Sequence, residues 1–259
     1  MTAAAAILDP RTTLARPDLA EQALEGVVRA AAYRAVRPMH CAAAVADIHA
    51  DVVPGEHPVD QLIFGEAFDV LDSRGDRLWG RARRDGVVGW VEAASLVEGA
   101  PLPTHHIKAV GADLPLNALV SGADEDSAAI GVFADDPVAV AEGFLGVPHR
   151  PGERTPRGTD CCGMVQQALY ACGRAAPRYA DQQAELGVGV PIADARRGDL
   201  VIWLSPGLAP WNGHAGIMLD PDRVLHATGH HGEVVIEAFA EANARHGGLG
   251  GAQPVFRRL

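Results

Sequence analysis

The sequence predicts an α+β protein, with a small all-β unit first and then helices followed by an antiparallel run of strands. Three observations carry this. From about residue 31 to 98, segments such as AAVADIHADV, EAFDVLDS, RLWGRAR and GVVGWVEA are short, β-branched or aromatic, and separated by Gly, Asp and Pro. That is the spacing of a small barrel or sandwich. From residue 135, DDPVAVAEGFLGV and CGMVQQALYACG read as helices. DLVIWL, HAGIMLD, RVLHAT and EVVIEAF then alternate as strands do, and helices grouped ahead of strands make an α+β layer.

Taken in order, residues 1–30 end in DLAEQALEGVVRAAA, where Leu19, Ala23 and Val27 recur at helical spacing behind Asp18 as an N-cap. A short N-terminal helical segment is expected there. Residues 31–98 form the β unit, with Trp90 between valines as a barrel core residue. Residues 99–134 carry turn chemistry and few strand-like runs. We read them as a linker or a reduced second β-module, with His105 and His106 as exposed loop residues. Residues 135–259 hold the α+β domain, whose first helix is capped by Asp135 or Asp136. Its second helix runs over about 162–173, with Met164, Val165, Ala168 and Leu169 as the apolar stripe and Gly173 as the stop.

Composition bounds the function. The 259 residues, 48% hydrophobic and 21% charged, suffice for a real core and exclude global disorder. A formal charge of −11 excludes a phosphate-tracking nucleic-acid binder. The N-terminal apolar run is broken by Asp9, Pro10 and Arg11 and lacks the basic flank of a secretory leader. No stretch reaches the roughly 18 apolar residues of a membrane span. Four cysteines, Cys41, Cys161, Cys162 and Cys172, do not make a disulfide framework in this length. A cytoplasmic protein without nucleic-acid or membrane partners is expected; the oligomeric state is not set.

The chemistry centres on TDCCGM, residues 159–164. Adjacent Cα atoms lie about 3.8 Å apart, below the usual disulfide range, so both thiols are free. Asp160 is a natural N-cap, which puts Cys161 in the first helical turn, where the helix dipole favours a thiolate. Cys162, one step round, is expected to point elsewhere.

A thiolate nucleophile needs a base, and the base an orienter. With Leu219 opposite Arg223 at the DPD turn, Gly216 faces His226 and His214 faces Thr228. His214 and His226 then share a face, and Gly216 leaves room for the rings to meet. Zinc chemistry would want a C-x-x-C or H-x-x-x-H pair, which Cys161, His214 and His226 do not supply, so no metal or other cofactor is expected. His230 and His231 are read as loop residues near the site.

These segments resemble the NlpC-type cell-wall cysteine peptidases, a papain-like α+β fold. GTDCCGMVQQAL is similar to the family's D-C-S-G-L-V-Q segment, RRGDLVIW to its R-x-G-D-L-V-F-W strand, HAGIM to the strand with the base, and VLHAT to the strand with the third histidine. The resemblance implies Cys161 as nucleophile, His214 as acid/base and His226 as orienter, with Cys162 where the family has Ser. Upstream, LDPRTTLARPDLAEQALEG, QLIFGEAFDVLD and FLGVPHRPGERTPRGTDC resemble a subgroup with bacterial SH3-like domains. That subgroup implies γ-D-glutamyl-L-diamino acid endopeptidase activity on peptidoglycan stem peptides, in cytoplasmic muropeptide recycling.

The substrate side departs from the pattern. The family's Y-L-W-G-G is His149-Arg150-Pro151-Gly152-Glu153, and its R-D-S-D is Arg178-Tyr179-Ala180-Asp181. Its barrel Tyr corresponds to Phe64. Tyr179, Ala180, Asp181 and Phe64 are therefore the expected substrate positions, together with Asp160 and Cys162. Trp211, in the apparent insertion SPGLAPWNG, is a replacement wall. An ammonium buried there without its family partners would cost about 2–5 kcal/mol. Two other readings follow: a same-fold amidase or peptidase for substrates without a free L-Ala amine, and a non-catalytic cell-wall peptide-binding module.

Overall fold

The β unit is built from β1 (Arg37–Cys41), β2 (Val45–Ile48), β3 (Asp60–Ile63), β4 (Ala67–Arg74), β5 (Arg77–Ala82), β6 (Val88–Glu92) and β7 (Leu96–Glu98). This is a computed structural model, and it describes residues 8–100, 102–205, 213–247 and 253–259. Five strands form one antiparallel sheet in the order β6-β5-β4-β1-β7. The β2–β3 hairpin joins it through a bridge from His49 to Trp90. Met39, Ile48, Leu62, Phe68 and Val91 fill the interior.

Residues 8–30 form no α-helix. They contain a two-residue strand, Ala20–Glu21, paired parallel to Tyr33–Arg34, and a 3-10 turn, Gln22–Leu24. The proposed stripe does not stay on one face: Leu19 is buried while Val27 is 64% exposed. An isolated short helix is marginal in water, whereas the extended chain lays Leu14 and Leu19 against Trp79 and Trp90. Trp90 thus sits under the N-terminal segment, and Val91, alternating with it, points into the barrel.

Residues 99–134 contain a small sheet in which β8 (His105–Ile107) lies between β9 (Leu119–Val120) and β10 (Ser127–Ala129). His105 and His106 are therefore strand residues. His106 is buried, with Nε2 2.9 Å from the Val132 carbonyl oxygen. Strand alternation turned it inward.

The α+β domain follows: α1 (Pro137–Glu142), α2 (Cys161–Ala171), α3 (Ala180–Gln183), β11 (Val188–Val190), β12 (Leu200–Leu204), β13 (Gly213–Asp220), β14 (Arg223–Thr228), β15 (Glu233–Ala238), α4 (Phe239–His246) and β16 (Val255–Arg258). Six antiparallel strands run β11-β16-β12-β13-β14-β15. One face receives α2, whose Met164, Val165, Ala168 and Leu169 pack with Ile202, Ile217 and Leu225. The other receives α4, where Trp203, Met218, Val224 and Phe256 meet Phe239 and Ala242. Every residue of α2 is buried, so the helix is enclosed all round. Gly163 makes this possible: a Cβ there would lie 2.5 Å from the Glu153 carbonyl oxygen and 2.8 Å from Arg154 Cβ.

Buried ion pairs tie the two units together. Arg154 and Arg178 have no exposed surface beyond 1%. Arg154 reaches Glu66 at 2.5 Å and Asp60 at 3.2 Å, both on the barrel. Arg178 reaches Asp60 at 2.8 Å and Asp160 at 2.5 Å. Among the described residues, no helix is long and apolar enough to cross a membrane.

Candidate functional site

Asp160 caps α2 from an extended backbone, as its sequence position predicts. Its Oδ1 accepts from Gly163 N at 2.7 Å, and Oδ2 accepts from Gly152 N at 2.9 Å. Arg178 donates to both oxygens, at 3.0 and 2.5 Å. The carboxylate is thus held by four donors, and its work is to fix the start of the helix. Cys161 is the first helical residue.

The two thiols do not diverge. Cys161 Sγ and Cys162 Sγ lie 3.7 Å apart, and both line one cavity of about 320 Å³. The interaction with Cys161, together with burial, pushes the Cys162 thiol well above its ordinary range. Cys162 therefore keeps its proton and can donate it towards the Cys161 sulfur.

His214, near the start of β13, lines the same cavity as Cys161. Its Nε2 lies 2.7 Å from Nδ1 of His226 on β14. The strand register is close to that expected: Ile217 faces Leu225 and Met218 faces Val224, but a bulge at the turn sets Asp220, not Leu219, opposite Arg223. Gly216 does supply the needed room, since a Cβ there would be 2.6 Å from Val224 Cγ2 and 3.3 Å from His226 Cβ. Burial pushes His214 well below the usual imidazole value, and His246 and His226 add to the shift. Burial likewise pushes fully buried His226 down to about 4 against the pull of Glu237.

Three neighbours of this pair were not read from the sequence. Glu237 Oε1 lies 2.6 Å from His226 Nε2, off the line of the ring N–H. Arg245 bonds the same carboxylate. The His246 ring stacks flat on His214. Ring nitrogens of His214, His226 and His246 all fall within 4.8 Å of one another.

Of the expected substrate positions, Asp160, Cys162, Tyr179 and Ala180 line the cavity. Phe64 does not. It follows β3, where its carbonyl accepts from Leu119 N, and His57 of the preceding barrel loop reaches the cavity in its place. Asp181 is not a cavity residue either, because Arg11 of the N-terminal segment binds it at 2.5 Å. His149, where the family has an aromatic, forms a wall. Trp211 lies outside the described residues. His231 approaches Glu237 at 3.3 Å, placing the His230–His231 turn beside the site.

Residues 146–246 match the NlpC/P60 family, and residues 54–96 match the bacterial dipeptidyl-peptidase SH3 domain. The chain carries an NlpC/P60 domain behind a bacterial SH3 domain. An NlpC/P60 family protein from Bacillus cereus ATCC 10987 has the same fold, with a TM-score of 0.70 over 85% of this chain and 99% of that one, at 15% identity. Among curated relatives, the γ-D-glutamyl-L-lysine dipeptidyl-peptidase of Bacillus subtilis is 32% identical over 36% of this chain and 32% of its own length. The murein DD-endopeptidase MepS/murein LD-carboxypeptidase of Escherichia coli K12 is 30% identical over 45% of this chain and 57% of its own. The chain thus spans about a third of the first and just over half of the second of these relatives.

Proposed function

We propose that this protein is a cysteine peptidase acting on peptidoglycan stem peptides, with Cys161 as nucleophile, His214 as acid/base and His226 as orienter. The observation that carries the reading is the 2.7 Å His214–His226 contact, with His214 lining a cavity shared with Cys161 at a helix N-terminus, within an NlpC/P60 domain. Cys161 Sγ attacks the peptide carbonyl carbon as its proton passes to His214. Backbone N–H groups at the start of α2 meet the oxyanion. The intermediate collapses to a thioester while His214 protonates the leaving amine. Water, deprotonated by His214, then releases the acid and restores the thiol. By its likeness to the B. subtilis enzyme, the bond cleaved is that between γ-D-Glu and the diamino acid.

One observation favours a second reading of the substrate. Asp160, the carboxylate lining the cavity, is already held by Arg178 and two backbone N–H groups. Among the described residues, the remaining walls include the Arg178 cation and the imidazoles of His57, His149 and His214, beside the thiols of Cys161 and Cys162 and the phenol of Tyr179. Such a lining suits an acylated or carboxylate-bearing stem peptide better than a free L-Ala ammonium.

The test is mass spectrometry of digests of L-Ala-γ-D-Glu-diaminopimelate and of its N-acetylated form, with Cys161→Ala as control. Release of the D-Glu fragment from either peptide by the wild type alone supports the peptidase reading, and preference for the acetylated form supports the shifted substrate. Cleavage of neither peptide contradicts both.

A further inference from the structure

We propose that Glu237 is a positioning residue of this site, whose carboxylate sets the tautomers of both histidines and leaves His214 Nδ1 as the base. The proposal rests on the reading of His214 as acid/base and names a residue beyond it.

Donors and acceptors fix the order of protons along this chain. A carboxylate only accepts, and Glu237 Oε1 lies 2.6 Å from His226 Nε2. An unprotonated ring nitrogen and a carboxylate oxygen at that distance would repel, whereas a proton on Nε2 attracts the oxygen even in a bent contact, so His226 carries its proton on Nε2. Burial keeps this ring neutral, so that proton is its single one. His226 Nδ1 is then an acceptor, and the group 2.7 Å away, His214 Nε2, must be the donor. His214 is left with one lone pair, on Nδ1. The order holds for neutral His214 and for its imidazolium alike, so the chain need not rearrange during turnover.

Glu237 is itself fixed. Its side chain is 7% exposed, with Arg245 on Oε1 and His231 Nε2 3.3 Å from Oε2. Burial opposes its charge, but Arg245 and His226 together hold the carboxyl below its ordinary value. The other titratable groups facing the histidine pair are His246 and Arg245 from α4, and His149 and the nucleophile Cys161 from the cavity wall. Glu237 is thus the negative group on the His226 side of the pair. Replacing Glu237 by Gln removes that charge and lets an amide N–H face His226 Nε2. That reverses the order and puts a proton on His214 Nδ1.

Two measurements on the full chain test this. In histidine ¹⁵N spectra of the wild type, His226 and His214 are expected protonated at Nε2; protonation of His226 at Nδ1 overturns the proposal with no variant needed. Peptide-resolved iodoacetamide labelling of Cys161 is expected to slow about 10-fold or more at pH 7 in Glu237→Gln, with part of the rate restored in Glu237→Asp. Wild-type labelling in Glu237→Gln overturns it. Labelling needs no substrate, so an uncleaved muropeptide with this pattern intact overturns the substrate reading alone. An inert wild-type Cys161 overturns both.

Discussion

The imidazole of His246 lies flat on that of His214, with ring centres 3.9 Å apart and planes 7° from parallel. Trp203 adds a tilted contact, its ring centre 5.7 Å from His214. The base is thus held between a hydrogen bond to His226 at its edge and aromatic surfaces on its face, and packing as well as bonding sets its angle.

A flat aromatic replacement should preserve that wall. His246→Phe is expected to keep kcat within about twofold, while His246→Ala lowers it about 2–10-fold, the worth of one aromatic contact. Steady-state kinetics of the two variants would show it, and equal rates would assign His246 no part in holding the base.

Stability should fall in mild acid for a reason traceable to the clustered rings of the site. Burial pushes both His226 and His246 down to about 4 and His214 well below its ordinary value, whereas unfolded histidines titrate near 6.5. Between those values the unfolded chain binds protons that the folded chain does not, so stability present above about pH 6.5 is lost as pH falls towards 4. Urea midpoints at pH 7, 5.5 and 4.5 are expected to drop steadily in the wild type and less steeply in His246→Phe.

The start of α2 depends on a charge pair that cannot be halved. Arg178 and Asp160 are both buried and joined at 2.5 Å. Asp160→Ala removes the helix cap and leaves the guanidinium short of a partner, for an expected loss of about 3–5 kcal/mol in urea unfolding. A loss under about 1 kcal/mol would mean that water takes over the role.

Cys162 should act through its S–H. Cys162→Ser keeps a donor near Cys161 Sγ, 3.7 Å from the native sulfur, and is expected to label at Cys161 at a near-native rate. Cys162→Ala removes the donor and should slow that labelling by about 2–10-fold, the worth of one hydrogen bond. An unchanged rate would reduce Cys162 to packing.

The local parts of this account were legible from residues alone. Asp160 as cap and Cys161 as the first helical residue follow from short-range chemistry. The approach of His214 to His226 follows from one hairpin, and a bulge at its turn left that register intact further along. Glu237 was within reach of the same method. His226 pairs with Val235 across the next hairpin, so Glu237 is its diagonal neighbour on the same face. His246 was not, because its place depends on how α4 docks against the sheet. The N-terminal helix failed for the converse reason: Leu14 and Leu19 serve a tertiary contact with Trp79 and Trp90, which overrides a weak local period. Phe64 and Asp181 followed the family's alignment, but His57 of the barrel loop lines the cavity where Phe64 does not, and Arg11 of the N-terminal segment binds Asp181.

The central claim is that Cys161 carries the acyl group. Acid-quenched turnover with a cleavable stem peptide, followed by peptide mass mapping, tests it most directly. An acyl thioester on Cys161 is expected in the wild type, with no turnover by Cys161→Ala. Turnover that persists in Cys161→Ala, or an adduct on Cys162 instead, would contradict it.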